Sequence, residues 1–286
     1  MSVLQGDARV VFTRPSTPAI LRLWQEVSSL TWRNVTRILR SPERLMFSLI
    51  TPILFTVLFR YVFGGAISGL RGIDYSQYLM PGVGVQVAAL ASVTSGFSIA
   101  DDLTTGYFYR IRTLPTARSA VLLARVCADV MNLAAQLLVL LAVSFAIGYR
   151  AGSVTGLIAG FCILLLFGIS LSLAFATIGL WVGRADTLNA IAMPLVFPLT
   201  LASTAFVPPS TMPGWLQEFA QHQPVSAACS ALRALALGSQ NTAAVRQGYF
   251  SGQSNTELVL QSVAWSLAIA TLALVMALRR YRRLSG

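Results

Sequence analysis

The sequence predicts an all-α polytopic membrane protein. It has an N-terminal amphipathic interfacial helix, six transmembrane helices and short re-entrant outer helices before the sixth. Only 11% of its 286 residues are charged, 55% are hydrophobic, and the mean hydropathy is +0.68. A soluble domain carries about 25% charged residues. The apolar residues also form runs that exceed the roughly 17 residues needed to cross a bilayer. Composition and run length together therefore place the chain in the membrane.

Three regions are predicted along the chain: a cytoplasmic tail over residues 1–17, an amphipathic helix over residues 18–41, and a six-helix transmembrane domain over residues 42–286. In the second region, apolar side chains and arginines recur at three- to four-residue spacing on opposite sides. That pattern is typical of a helix lying in the membrane interface. An ordinary helix of a soluble domain is the alternative, but no soluble domain follows for it to pack on.

Six apolar segments form the predicted spans. They are Leu45–Phe63, Tyr78–Ile99, Val130–Tyr149, Val154–Trp181, Leu188–Val207 and Leu258–Leu278. The fifth is expected to bend at Pro194 and Pro198, because proline removes a helical hydrogen bond. In the fourth, glycines recur at four-residue spacing, a pattern that favours close helix packing in lipid. Packing within one subunit is favoured over a dimer interface.

Residues 208–256, before the last span, contain two short helical patterns. These are Trp215–Gln221 and Val225–Leu237, separated by Pro224 and stopped by Gly238. The second is apolar on one side but too short to cross the bilayer. Both are therefore predicted to be re-entrant or interfacial helices on the outer face.

All 21 basic residues are arginine, and their distribution predicts the orientation. With both termini in the cytoplasm, 16 arginines lie inside and five outside. Because basic loops stay in the cytoplasm, this favours an N-in, C-in chain. The arginines cluster beside apolar runs, so nucleic acid is not an expected partner. A Walker A loop needs a lysine on the nucleotide phosphates, so the chain is not expected to bind ATP or act as an enzyme.

A polar, arginine-bearing island over residues 100–129 interrupts the apolar runs. Its first part, the loop over residues 100–120, is predicted to dock a separate ATP-hydrolysing subunit. Paired aspartates open the loop and either cap the N-terminus of a helix or contact that subunit. The aromatic residues at its tip need to be covered, either by a partner protein or by the lipid headgroups. The predicted coupling residues are Asp101, Asp102, Gly106, Tyr107, Phe108, Tyr109, Arg112 and Pro115.

Arg125 and Asp129 stand one helical turn apart at the inner end of the third span. An unpaired charge at that depth is unfavourable, so the spacing predicts a structural ion pair.

Polar residues within the spans are candidates for a substrate cavity, although hydrogen bonds between helices also explain such residues. The scarcity of charge in the spans favours an amphipathic or lipid-like cargo. The three cysteines have no metal-ligand spacing and are expected to be buried free thiols, and the single histidine cannot form a metal site alone. The candidate cavity residues are Thr51, Thr56, Gln86, Thr94, Thr200, Ser203 and Thr204.

Four stretches carry a family resemblance: LFRYVFGGAI at Leu58–Ile67, the loop Asp101–Asp129, the bent fifth span, and the outer segment Ala205–Ser226. With the six spans, they resemble the permease subunits of type-2 ABC exporters, in particular the daunorubicin-resistance permease group of actinobacteria. The match covers nearly the whole chain after residue 18.

The resemblance implies a cell-membrane permease subunit of an exporter for a hydrophobic or amphipathic drug, polyketide or lipid. It implies a coupling helix between spans two and three and pairing with a second permease, either identical or a sister. ATP and Mg are then expected on a separate ABC ATPase subunit, with no cofactor in this chain. The alternatives are an ion-coupled secondary transporter and a membrane-embedded enzyme. Both normally need acidic or histidine side chains at membrane depth.

Overall fold

A computed structural model describes residues 75–105, 118–150, 152–207, 209, 212–237 and 253–285, together with scattered residues between 28 and 63. Within these ranges, the side chains of residues 75–76, 118–125 and 281–285 are not described. The predicted tail, most of the predicted interfacial helix and much of the predicted first span lie outside the described residues.

The described part of the chain is all-α. A short π-helical segment, Phe59–Phe63, lies at the end of the predicted first span. The α-helices are α1 (Tyr75–Thr104), α2 (Arg118–Ala146), α3 (Val154–Val182), α4 (Ala185–Leu201), α5 (Gly214–His222), α6 (Pro224–Leu237) and α7 (Asn255–Ser285). By length and composition, α1, α2, α3 and α7 are candidate membrane spans, and α4 and α6 are shorter apolar helices.

Helix α1 is the central helix of the bundle. Its apolar stretch is 72% buried, against 28%, 28% and 22% for those of α2, α3 and α7. It packs against α2, α3, α4 and α6, and α3 in turn packs against α7. Helices α1, α3 and α7 run in one direction, and α2 and α4 run in the other. The outer helices therefore leave most of their apolar surface to lipid, as expected of spans at the edge of a bundle.

Two clusters of apolar side chains hold the helices together. One joins α1, α2, α3 and α6 around Leu79, Phe167 and Phe206. The other joins α1, α3 and α4 around Val93 and Phe175. Burying each such side chain fully stabilises a structure by about 1.5–3 kcal/mol when the alternative is water. Inside a bilayer that gain is smaller, so tight packing must contribute more.

Helices α1 and α3 cross closely, and this contact depends on two glycines. A Cβ atom on Gly179 would lie 2.5 Å from the Gly96 carbonyl oxygen, and one on Gly96 would lie 2.6 Å from the Phe175 carbonyl oxygen. At the other end of α3, Gly156 approaches the Leu235 backbone of α6 just as closely. The glycines of the predicted fourth span, now α3, were expected to pack within one subunit, and this is confirmed for Gly156 and Gly179. Gly183 instead ends α3 in the left-handed region, with φ of 68°.

The helices flanking the predicted coupling loop are longer than the predicted spans. Helix α1 continues to Thr104 and α2 begins at Arg118, so much of the polar island is helical. The thickness of the hydrocarbon limits only the apolar part of a helix, and hydrogen bonding can extend it into the aqueous phase. The prediction that Asp101 and Asp102 cap a helix N-terminus is wrong, because both lie in the last turn of α1.

The predicted fifth span also needs correction. Helix α4 ends at Leu201, and residues 202–207 form turns rather than a continuation of the helix. Pro194 and Pro198 lie inside α4, so two of its N–H donors are missing near that end. At 1.5 Å per residue its 17 residues extend roughly 25 Å. That is short of the roughly 30 Å hydrocarbon thickness.

The two short helices predicted before the last span are confirmed, and each of their ends lies within one residue of the prediction. They are α5 and α6, and Pro224 occupies the first position of α6, where its missing N–H has no helical partner to lose. Helix α7 begins with a reciprocal cap. The Ser254 N–H donates to Glu257 Oε2 at 2.8 Å, and the Glu257 N–H donates to Ser254 Oγ at 3.3 Å.

Candidate functional site

The bundle has two chemically different ends. At the end called here the Asp101 end, α1, α3 and α7 terminate together, and the Arg280 guanidinium lies 5.4 Å from the Trp181 ring centroid. Arg184 is exposed between α3 and α4 at the same end. At the opposite, Arg233 end lie Arg233 and the backbone of Arg150, which bonds the Gln77 amide. Arg184 and Arg280 therefore lie at one end of the bundle, and Arg150 and Arg233 lie at the other.

At the Asp101 end, an acidic side chain links α1 to α2. The Ser95 hydroxyl donates to Asp129 Oδ2 at 2.6 Å, and Asp129 is half-buried. A hydroxyl donating to a carboxylate is a strong, charge-assisted hydrogen bond. The Arg125 side chain is outside the described residues, so its predicted pair with Asp129 stays a prediction.

Asp101 and Asp102 are half-buried at the C-terminus of α1. Carboxylates there lie beside the negative end of the helix dipole, which is the unfavourable end for them. The remaining predicted coupling residues lie outside the described residues; they are Gly106, Tyr107, Phe108, Tyr109, Arg112 and Pro115.

The Arg233 end is organised around a buried arginine on α6. Arg233 is only 2% exposed. Its Nε donates to the Tyr78 carbonyl at 3.0 Å, and one terminal nitrogen donates to the Ala205 carbonyl at 2.8 Å. The guanidinium carbon also lies 3.6 Å from the Tyr78 ring centroid, a cation–π contact. One side chain thus joins α6 to the start of α1 and to the turn after α4.

Tyr78 completes this connection. Its hydroxyl donates to the Thr204 carbonyl at 2.7 Å, and the Thr204 N–H donates to Ser226 Oγ at 3.0 Å. Sequence reasoning used Arg233 only in the orientation count and missed this role. The available signal was a single arginine within an apolar helix, since charges at membrane depth are rare and usually functional.

Cys229 lies one turn before Arg233 and is fully buried. Burial raises the pKa of its thiol to about 11, and the Arg233 charge lowers that pKa by a smaller amount. The thiol therefore stays protonated at neutral pH and is not a nucleophile. Cys127 and Cys162 are exposed on the surfaces of α2 and α3, so the expectation of three buried thiols is wrong for these two.

A polar pocket of about 230 Å³ lies at the Arg233 end, between the turn after α4 and helices α5, α6 and α7. Hydroxyl, amide and imidazole groups face it, and Pro209 and Leu258 add apolar surface. The Thr204 hydroxyl has no hydrogen-bond partner among the described residues, although Thr204 is only 3% exposed. The polar side chains that line this pocket include Thr204, Gln221, His222, Ser226, Ser230 and Gln261.

A second cavity, of about 80 Å³, is apolar and lies between α1, α2, α3 and α6. Leu137, Phe161 and Leu232 line it, and Ser144 donates to the Met80 sulfur at 3.1 Å on its wall. Tyr149 closes one side of the cavity. This cavity offers dispersion contacts and no charged group.

The structure separates the predicted cargo residues into two groups. Thr94, Thr200 and Ser203 donate to backbone carbonyls three or four residues earlier and so have local partners. Thr56, Gln86 and Thr204 are buried, and the Thr56 and Thr204 hydroxyls and the Gln86 amide nitrogen have no partner among the described residues. Thr56, Gln86 and Thr204 therefore retain hydrogen-bonding capacity that a ligand could use. Thr51 lies outside the described residues.

No cluster of three or more histidine, cysteine, aspartate or glutamate side chains is found in the described part of the chain. The described geometry is that of a packed helical bundle with one polar pocket, one apolar cavity and an acidic helix end.

Comparison with known proteins gives a consistent result. The family model described as ABC-2 type transporter matches residues 25–237. The daunorubicin resistance ABC transporter permease protein of Streptomyces coeruleorubidus is 31% identical over 236 residues, covering 82% of this chain and 83% of the relative. The doxorubicin resistance ABC transporter permease protein of Mycobacterium tuberculosis is 31% identical over 201 residues, covering 67% and 69%.

Proposed function

This chain belongs to the ABC-2 type transporter family, and we propose that it is the transmembrane permease subunit of an ATP-binding-cassette exporter for hydrophobic or amphipathic drugs. The observation that carries the proposal is the family match over residues 25–237, together with two drug-resistance permeases that align over at least two thirds of the chain. Polyketides and lipids of similar polarity belong to the same proposed cargo class.

The proposal includes six spans with both termini in the cytoplasm of the cell, an actinobacterium, and with α5 and α6 as re-entrant helices on the outer face. The arginine distribution supports this orientation, as does the short length of α6. The Asp101 end is then cytoplasmic and the Arg233 end faces outward. A second permease, identical or a sister, completes the pathway.

The proposed energy source is a separate ABC ATPase that holds ATP and Mg and docks on the loop over residues 100–120. One argument supports this docking position, and a second supports a separate ATPase subunit. The loop joins two helices that extend beyond the apolar core, so a displacement of the loop by the ATPase is transmitted to the central helix α1. The chain has no lysine for a Walker A motif of its own.

The cargo is proposed to contact buried groups that have no hydrogen-bond partner among the described residues, namely Thr56, Gln86 and Thr204. An amphipathic molecule can satisfy these groups while its apolar part stays in the bilayer. An ion or a strongly charged solute would instead require a charged group in the pathway.

The first test is the double substitution Tyr107→Ala and Phe108→Ala in the assembled exporter, with Asp102→Arg as a second variant. We expect ATP-driven drug uptake into inverted vesicles to fall at least tenfold, with less ATPase subunit retained in pull-down. The matched control is Trp215→Ala, because Trp215 is an aromatic residue on the opposite end that is 76% exposed. Normal uptake and normal pull-down in both coupling variants would contradict the proposed docking position.

A further inference from the structure

The proposed function assigns no role to the polar pocket as a whole. We propose that this pocket at the Arg233 end binds a sugar or polyol group of the cargo while the apolar part of the same molecule remains in the bilayer. This inference rests on the proposed function for the identity of the cargo, and on the pocket itself for the chemistry.

The first observation is the Thr204 hydroxyl. Thr204 lines the pocket and is 3% exposed as a residue, and its hydroxyl oxygen is buried with no hydrogen-bond partner among the described residues. Buried hydroxyls in folded proteins are nearly always paired, and an unpaired one is unfavourable. The neighbouring hydroxyls Thr200 and Ser203 are paired with backbone carbonyls. A hydroxyl on a bound ligand would supply the partner that Thr204 lacks.

The second observation is the set of groups around Thr204. Ser226 and Ser230 on α6 and Gln261 on α7 each offer both a donor and an acceptor. Apart from His222, no described side chain that lines the pocket is ionisable. Recognition there must therefore rest on neutral hydrogen bonds, which suit hydroxyl groups better than a phosphate or a carboxylate.

His222 fits this chemistry. Its Nδ1 lies 2.9 Å from the Glu218 carbonyl oxygen. A carbonyl can only accept, so this hydrogen bond requires the proton on Nδ1 and leaves Nε2 as an acceptor in the neutral ring. The pocket thus combines hydroxyl donors with an imidazole acceptor.

Size and shape also favour a sugar. The volume of about 230 Å³ is many times the roughly 10–15 Å³ that one water needs. Pro209 and Leu258 give the pocket an apolar wall on which the C–H face of a sugar ring can pack. A pocket intended only for water would not need this apolar surface.

The test uses daunorubicin, an anthracycline that carries an amino sugar, and its aglycone daunomycinone, which lacks that sugar. Binding of each to the complete exporter in nanodiscs is measured for the native protein, for Thr204→Val and for Thr200→Val. Thr204→Val keeps the shape and removes only a hydroxyl that has no partner, so the variant should fold normally. Thr200→Val is the matched control, because Thr200 is equally buried and its hydroxyl bonds its own helix.

We expect Thr204→Val to weaken daunorubicin binding by roughly five- to tenfold, as expected for one lost hydrogen bond. Daunomycinone binding should stay unchanged, and Thr200→Val should change neither. Equal weakening of both compounds, no weakening of either, or native binding that does not distinguish the two compounds would overturn the inference. ATP-driven uptake is measured in parallel. Absent uptake with selective loss of binding would contradict the proposed function and leave the sugar site standing.

Discussion

Arg233 is the residue on which the geometry of one end of the bundle depends. Its guanidinium replaces water at two backbone carbonyls and covers the Tyr78 ring. The Ala205 carbonyl belongs to the turn after α4, where no helical N–H is available to it. The planar guanidinium of an arginine has several N–H donors and can bond carbonyls on two elements at once. A lysine ammonium cannot do so in the same geometry.

Replacing Arg233 should therefore destabilise the fold rather than only change its charge. We expect Arg233→Ala to lower the stability by about 2–4 kcal/mol, since hydrogen bonds from a charged donor contribute about 1.5–3 kcal/mol each. The midpoint of thermal unfolding in detergent should fall by on the order of 10 °C. Arg184→Ala is the matched control, because Arg184 is exposed and makes no side-chain cap bond. Equal midpoints for the two variants would show that Arg233 is dispensable to the fold.

Single residues also show where reasoning from sequence stops. Residue type and position were enough to select Thr200, Ser203 and Thr204 as polar groups in an apolar setting. They were not enough to say that Thr200 bonds its own helix and that Thr204 does not, because that depends on rotamers and on what each face of the chain meets. The role of Arg233 was missed for the same reason, since its partners are 28 and 155 residues away.

At the scale of elements, helix contacts in this protein depend on backbone approach more than on large side chains. Gly96 and Gly179 let α1 and α3 meet backbone to backbone near the Asp101 end. Such contacts bring many atoms into dispersion range, which is the main source of helix association in lipid. Because α1 is the central helix, this crossing fixes the position of the segment that leads into the proposed coupling loop.

Gly179→Ala tests this crossing. The added methyl group would meet the Gly96 carbonyl at 2.5 Å, so the helices must separate or shift. We expect a loss of about 1–3 kcal/mol, the usual effect of overpacking, and a thermal midpoint several degrees lower. Gly214→Ala is the control, because nothing lies within 4 Å of a Cβ atom there. An unchanged midpoint for Gly179→Ala would mean that α1 and α3 do not pack as described.

The elements differ in how well sequence predicts them. The ends of helices α5 and α6 were predicted within one residue, because Pro224 separates the two helical patterns and Gly238 follows the second. The ends of α1, α2 and α4 were not, because hydropathy detects where the apolar stretch ends and not where the helical hydrogen bonding ends. For α4 the difference is a run of turns over residues 202–207, whose backbone groups are paired by Arg233, Tyr78 and Ser226.

At the scale of the whole molecule, charge and helix direction agree. Helices α1, α3 and α7 terminate at one end of the bundle, where Arg184 and the arginines of the α7 C-terminus also lie. Arg150 and Arg233 lie at the other end, at the start of the same three helices. A single insertion orientation can therefore satisfy the preference of arginine-rich segments for the cytoplasm.

Labelling of single cysteines tests that orientation directly. In a variant whose three native cysteines are replaced by alanine, Trp215→Cys places a thiol on α5, and Arg184→Cys places one between α3 and α4; both positions are exposed. A membrane-impermeant maleimide added to intact cells should label the first within minutes. It should label Arg184→Cys only after permeabilisation, because in intact cells the bilayer separates the reagent from the Asp101 end.

The cysteine-free parent should not be labelled in either condition, and it must still support drug efflux for the comparison to apply to the working exporter. The reverse pattern, with Arg184→Cys labelled in intact cells and Trp215→Cys protected, would place the Asp101 end outside. The loop over residues 100–120 could not then meet a cytoplasmic ATPase. The polar pocket would face the cytoplasm, where it could act in cargo entry rather than release. The orientation therefore decides whether the polar pocket acts in cargo entry or in cargo release.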